Sequence, residues 1–424
     1  MAIFETVKIH EITRVIPSSD SPQSINEFSL PLTKFPPALA LYWYQLTNSN
    51  STPSYFNSQI LPTLKQSLSL ALAYYLPLAG YLKRPLGSSK PIVSYTPNDG
   101  VTLTVAESNV ANFDTLISNE MHQATDLHPL VPHLILSDDK AEILALQITL
   151  FPHQGFCIGT SARHSVVDGN TRKYVHELTP SFDRSIIKDP TGLDMLFLNK
   201  WLAIFDEAQE PNTRSLKIPH QFPPVSQEMV RARFEFSSKD VQQLREKALS
   251  KLVITNEKKY HPSTFVLTLA YTATCLVKPK EKVIGLYFGM DCRSRLDPPV
   301  PLTYFGNCVM NYSSSAEARN FMGGNGFGFA VEMVSDTIQK IKKGVVEGAE
   351  KDVSNFYTLK PVYEGDFGVM SKTKKVEMVS IERDEAVFMA ESRDGSGGVE
   401  IVLALRKHEM EKFTALEMTV PIFR

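Results

Sequence analysis

The residue types that could do chemistry gather in one stretch, Phe156 to Gly169, reading FCIGTSARHSVVDG. Its first half reads as a strand, with Phe156, Ile158 and Thr160 on one face and Cys157 and Gly159 on the other. A short polar turn follows and carries His164, Asp168 and Gly169. Neutral imidazole, with an ordinary pKa of about 6.5, accepts a proton at cellular pH. A His held at a strand exit can serve as general base toward an attacking hydroxyl or amine, a contribution of roughly 10²–10⁴-fold in rate. Asp168 could orient that imidazole or hold the turn, and Gly169 suits the tight turn itself. The same His and Asp could sit on one helical face as metal ligands. No third His, Cys or carboxylate lies at ligand spacing nearby, so no metal is expected. A nucleophile–His–Asp triad lacks the GxSxG turn that would support it.

The elements that must position this stretch are legible by pattern. Val7 to Ile16 alternates as a strand, and Leu41 to Tyr44 supplies aromatics for a core or pocket wall. Ile60 to Tyr75 is a helix with Leu61, Leu64, Leu68, Leu72 and Tyr75 on one face. Short strands follow at Ile92 to Tyr95, Thr102 to Glu107 and Ile143 to Phe151. The last pairs by pattern with Gly155 to Thr160 across the turn Pro152-His153-Gln154, where His153 meets solvent or a local hydrogen bond. Further on come a strand at Val230 to Phe236, a Ser-capped helix at Ser238 to Ser250 and a buried helix at Ser263 to Val277. Val283 to Asp291 reads as a central strand and Phe327 to Gly344 as an amphipathic helix. Val376 to Ile381, Ala386 to Glu391 and Gly398 to Arg406 read as an antiparallel meander, closed by a helix at Lys407 to Glu417.

Composition narrows the function classes. A chain of 424 residues has room for two domains. Its net charge of −2, without a basic stripe, gives no basis for nucleic-acid binding. Four scattered cysteines without CxxC favour free thiols in a reducing compartment. No h-region and no run of 18 apolar residues occurs, so a cytoplasmic protein without membrane segments is expected.

A second acidic motif, Asp366-Phe367-Gly368, lies far downstream. A kinase reading of it fails, since there is no GxGxxG loop, VAIK-type Lys or HRD. HxxxDG near the middle and a DFGWG-like motif near the end resemble the plant BAHD acyltransferases. Tyr304-Phe305-Gly306-Asn307-Cys308 resembles the clade that acts on anthocyanin and other flavonoid glycosides. The resemblance covers nearly the whole chain. It implies an α/β fold of two chloramphenicol acetyltransferase-like domains, each a mixed sheet flanked by helices, with a channel between them. The domains would be 1–182, a crossover linker 183–225, and 226–424.

The implied activity is O-acyl transfer from a CoA thioester, with malonyl-CoA as first choice of donor and a phenolic or flavonoid glucoside as acceptor. Hydroxycinnamoyl or acetyl donors, alcohol or alkaloid acceptors, and a non-catalytic metabolite-binding relative are the alternatives. Acyl-CoA is a co-substrate, no cofactor is tightly bound, and a monomer is expected. The resemblance makes His164 the base, turns Asp168 toward Arg293 as a loop-fixing pair, and keeps Asp366 and Gly368 in the loop that shapes the site. It puts Ser263 and Thr264 where CoA would meet a helix N-terminus, against the alternative of a simple cap. It also nominates Arg172 for the malonyl carboxylate, which a guanidinium can hold through two parallel hydrogen bonds.

The chain departs from the family pattern in three places. Val369-Met370 stands where the family has Trp-Gly. The stretches before Phe182 and before Val362 are shorter than in relatives, at positions where loops are expected. His164→Ala is expected to fold and to lose on the order of 10²–10⁴-fold in kcat. The wild-type rate is expected to fall as acid protonates the ring. Near-normal turnover by a folded variant in steady-state assays removes His164 from the role.

Overall fold

The strand that delivers His164 lies inside a sheet built from both ends of the chain. The structure, a computed structural model, describes residues 7–18, 28–29, 37–46, 48–83, 91–109, 112–169, 216, 225–252, 261–277, 283–295, 299, 308–341, 358–360, 373–383 and 387–419. The strands that carry the architecture are, in chain order, β1 (Lys8–Val15), β2 (Ala38–Gln45), β3 (Val101–Glu107), β4 (Leu144–Phe151) and β5 (Gly155–Ala162), then β6 (Met229–Phe236), β7 (Val283–Asp291), β8 (Val309–Glu317), β9 (Lys375–Met378), β10 (Val387–Glu391) and β11 (Val399–Arg406).

The first sheet runs β1-β3-β4-β5-β2-β9. It is mixed, because β3 and β4 are parallel while the other pairs are antiparallel. β4 and β5 form the expected hairpin, with Phe151 opposite Gly155 and Leu144 opposite Ala162. His153 sits in its turn at φ 62°, and its amide donates to the Ser51 carbonyl at 3.0 Å. Every residue of β4 and β5 is buried, as a strand packed on both faces must be. Phe156, Ile158 and Ala162 face the helix Leu61–Tyr74 and its core, while Cys157 faces Trp43, Leu127 and Leu130 on the other side. Gly159 is there for a close approach, since a Cβ would collide with the Leu130 carbonyl oxygen. The 3₁₀ turn Ala124–Leu130 therefore rests directly on β5.

The second sheet runs from Thr358–Lys360 through β10, β11 and β6 to His122–Gln123. It too is mixed, because Thr358–Lys360 runs parallel to β10. Residues of one face, Val230, Ala232, Val387, Ile401 and Leu403, pack on the helices Ser238–Leu252, Thr264–Leu276 and Gly326–Ile341. The first of these helices opens with Ser237, whose hydroxyl accepts from the Asp240 amide while the Asp240 carboxylate accepts from the Ser237 amide. The 183–225 crossover lies outside the described residues apart from Leu216 and Val225. Leu216 is buried in the first half's core.

Two expectations are corrected. The meander loses its first strand: β10 and β11 pair with each other, but β9 joins the first sheet beside β2, and Val379–Arg383 is a 3₁₀ turn. The reason lies in β2, whose ALALYWYQ run is buried over most of its length, so that an open edge would strand its backbone groups without water. Val283–Asp291 is not central. Among the described residues its ladder partner is β8 alone, and Val283 and Gly285 are exposed.

The unburied-looking pattern of β6, MVRARFEF, has a specific cause. Arg231 and Arg233 are fully buried on the face away from the helices, against the first half. Glu377 of β9 accepts from both, and from Lys375 at 2.7 Å. Arg231 also donates to Glu382 at 2.7 Å, and Arg233 to Glu400. Lys375 reaches the carbonyls of Leu116 and Ser118 at 3.0 and 2.7 Å. Burial alone would raise the Glu377 pKa, but Lys375, Arg233 and Arg231 together hold it well below its ordinary value. A depressed folded-state pKa adds stability that is present above the unfolded value near 4.5 and is lost as pH falls. Glu377→Gln is therefore expected to cost about 3–5 kcal/mol at neutral pH. It should also lose less further stability on acidification than the wild type does. Urea unfolding at neutral and acid pH measures both, and a variant as stable as wild type would mean the carboxylate is not the centre of this network.

Candidate active site

His164 emerges half-buried at the first position of a turn that β5 feeds directly. The Arg163 amide continues the hairpin ladder by donating to the Ile143 carbonyl at 2.8 Å. The Arg163 carbonyl then accepts from the amides of Val166 and Val167 at 2.9 and 3.0 Å. Those two bonds close the turn under His164. Val166 and Val167 are buried in the first half's core and anchor it from below.

Asp168 closes the same turn from the far side and is buried. Its Oδ2 accepts from Arg293 Nη1 at 2.7 Å and from the Cys308 amide at 3.0 Å. Arg293 is fully buried and also meets Asp291 Oδ2 at 3.0 Å. Burial works against the Arg293 charge, but Asp168 and Asp291 outweigh it and raise its pKa above the ordinary value. The pair thus joins the HxxxDG turn of the first half to the neck of the β7–β8 hairpin in the second. At that neck the Cys292 amide donates to the Cys308 carbonyl at 2.8 Å, continuing the register of Asp291 opposite Val309. The Cys308 amide, the other half of that pairing, goes to Asp168 instead.

The structure thus brings together His164, Asp168 and Arg293, with Gly169 helical at the turn's end. Ser263 and Thr264 lie elsewhere in the second half. Ser263 is exposed and caps the helix Thr264–Leu276, its hydroxyl accepting from the Val266 amide at 3.4 Å. Arg172, Asp366, Gly368 and the motif residues Tyr304 to Asn307 lie outside the described residues. Sequence reasoning missed the Cys308 amide, because a backbone donor leaves no trace in residue type. It also passed over Arg163 and Ser165, buried on either side of His164. The available signal was a cation ending an otherwise apolar strand. Among the described residues no group of three or more His, Cys, Asp or Glu could hold a metal ion. The four cysteines are free thiols, three of them buried.

Two mixed α/β halves thus meet across a buried ion pair close to a turn that carries a half-buried His. The structure of vinorine synthase matches this one with a TM-score of 0.62 over 96% of both chains, at 21% identity, which shows the fold. The sequence profile of the transferase family matches residues 5–356 and 342–418. Phenolic glucoside malonyltransferase 1 of Arabidopsis thaliana is 39% identical, with 96% of each chain covered. The malonyl-CoA:anthocyanidin 5-O-glucoside-6''-O-malonyltransferase of the same plant is 36% identical, with 97% of each covered. The chain belongs to this transferase family, the BAHD acyltransferases, and is an acyl-CoA-dependent enzyme. The alignment to the first relative spans 459 positions against 424 residues here, so that relative carries inserted segments. The two profile matches overlap at 342–356, just ahead of the short stretch before Val362.

Asp168→Asn removes the charge that a buried guanidinium needs, and is expected to cost roughly 3 kcal/mol along with activity. Thermal unfolding and kcat measured together separate the roles. A variant that melts like wild type while kcat collapses assigns Asp168 to orienting His164 rather than to fixing the turn.

Proposed function

We propose that this enzyme transfers a malonyl group from malonyl-CoA to a sugar hydroxyl of a phenolic or flavonoid glucoside, with His164 as general base. The observation that carries the reading is near-full-length similarity, at 39% and 36% identity, to two proteins named as malonyltransferases of glucosides. The turn geometry supports it, since the ladder and Asp168 fix the backbone on both sides of His164.

The imidazole takes the proton of the acceptor hydroxyl as its oxygen attacks the thioester carbon. A carbon–oxygen bond forms and the carbonyl becomes a tetrahedral oxyanion. Collapse breaks the carbon–sulfur bond, and the leaving thiolate recovers the proton from the imidazolium. The products are the malonyl ester and free CoA, and no covalent enzyme intermediate is formed. One base suffices because the thiolate is a good leaving group. Asp168 contributes by holding the turn, and Asp366 and Gly368 are assigned to the loop that shapes the site. Ser263 and Thr264 are assigned to the CoA side of the second half. Sequence spacing nominates Arg172 for the donor's free carboxylate. A monomer acting in the cytoplasm fits the free thiols. Among the described residues no helix is long and apolar enough to cross a membrane.

The test is product analysis by mass after incubation with malonyl-, acetyl- and hydroxycinnamoyl-CoA and a panel of phenolic glucosides. Malonyl esters of glucosides, formed faster than the other esters, are expected. Preference for another acyl group overturns the donor, and no product with any pair overturns the enzymatic reading of His164.

A further inference from the structure

The two halves are joined differently at two edges. At one edge the backbone itself passes between the sheets twice. His122–Gln123 pairs with β6 of the second sheet and runs directly into the Ala124–Leu130 turn that rests on β5. Lys375–Met378 pairs with β2 of the first sheet, and the 3₁₀ turn Val379–Arg383 leads from it toward β10 of the second. Arg231 stands where the two passages meet, opposite His122 and bonded to Glu377 and Glu382. At the other edge, beside His164, two contacts across the halves end on one oxygen. Asp168 Oδ2 accepts from Arg293 Nη1 and from the Cys308 amide. Arg293 has a second carboxylate, and it belongs to the same half. Asp291 Oδ2 accepts from the same Nη1 at 3.0 Å, and Asp291 Oδ1 accepts from the Arg293 amide at 2.8 Å. Asp291 is the last residue of β7, so it moves with the guanidinium wherever the hairpin goes. Its side chain is 33% exposed, while those of Asp168 and Arg293 are fully buried. Each carboxylate raises the Arg293 pKa in its own right. Removing the anion from a buried guanidinium is strongly disfavoured. Arg293 can give up Asp168 and still face a carboxylate.

We propose that Asp291 is a positioning residue that makes the Asp168–Arg293 pair a releasable latch, so that the halves open at the His164 edge while the edge at Arg231 serves as the hinge. In the closed state the two carboxylates share the guanidinium, and the turn under His164 is fixed. In the open state Arg293 stays with Asp291 on the hairpin, and Asp168 parts from both Arg293 and the Cys308 amide. The two acceptors draw on the same nitrogen. Asp291 therefore weakens the hold of Asp168 in the closed state and takes its place in the open one. Acyl transfer needs room at His164 for two substrates and then for two products, and rotation about a fixed hinge provides it. The inference holds for any acyl donor and does not rest on malonyl transfer.

The experiment follows amide hydrogen exchange in the full chain by mass, with fragmentation to resolve single amides. It compares the Cys308 amide with the β6 amides around Arg231 in the wild type, Asp291→Asn and Asp291→Glu. In the wild type Cys308 is expected to exchange about 10-fold or more faster than β6, because local opening exposes it. Asp291→Asn keeps an acceptor for the Arg293 amide and removes the charge. It is expected to slow exchange at Cys308 by about 10- to 150-fold, the equivalent of one charged hydrogen bond, without slowing β6. Asp291→Glu restores the charge and should exchange like the wild type. A merely structural role predicts the reverse, since losing a stabilising contact speeds exchange. With malonyl-CoA and a phenolic glucoside, the first turnover of Asp291→Asn should keep its rate while steady-state kcat falls, because product release is impeded and chemistry is not. Faster or unchanged exchange at Cys308 in folded Asp291→Asn, or a first turnover slowed as much as kcat, overturns the proposal. If Asp291→Asn does not fold, the wild type decides alone: faster exchange at Cys308 than at β6 sustains the latch, and equal exchange, which means opening only by global unfolding, overturns it. If the protein transfers some other acyl group, the malonyl reading fails by itself and exchange still decides the latch.

Discussion

Glu377 is a single carboxylate that must satisfy three buried cations, Arg231, Arg233 and Lys375. Around it, Glu382 and Glu400 complete a set of three acids and three bases. Taking so much charge out of water is tolerable only when every member is paired and the geometry is maintained. Glu377 stands on a strand of the first sheet, while both arginines stand on a strand of the second. The network therefore holds the two sheets in one relation, and any rearrangement that moved them apart would leave ions buried and unpaired. Such a device costs stability relative to an apolar interface, but it is selective for one arrangement.

The site depends on that relation. Asp168 belongs to the first half and Arg293 and Cys308 to the second, so the turn under His164 has its final shape only when the halves are docked. The same logic operates at two scales. Six charges orient the sheets, and one carboxylate between a guanidinium and a backbone amide sets the turn. The backbone at His164 is set by the ladder bond of Arg163 and the two amides that close the turn.

Much of this was legible in the residues. The apolar strand before His164, the hairpin across His153 and the leucine face of the helix Leu61–Tyr74 all follow local periodicity, and the structure reproduces them. Elements governed by distant partners were not legible. Val376 to Ile381 reads as a meander strand by its neighbours, yet the strand that forms, Lys375–Met378, goes where the open edge of Ala38–Gln45 needs it. Arg231 and Arg233 alternate with apolar residues in their strand, and nothing local signals their burial, because the acids that pair with them lie far along the chain. At the site, side-chain chemistry was visible in His164, Asp168 and Arg293. The Cys308 amide was not visible, since every residue but proline offers one.

The exchange of strands between sheets has a consequence for how the chain is made. Trp43 pairs with Lys375, and Arg231 with His122, so each sheet awaits a piece supplied from a distant part of the sequence. As the chain leaves the ribosome, the first half can assemble its hairpin and helices early. The apolar edge of Ala38–Gln45 then stays uncovered until most of the protein has been synthesised. Non-local pairing of this kind slows folding and leaves a sticky edge exposed in the meantime. Folding is therefore committed only near the end of translation, and the two halves reach completion together rather than one after the other.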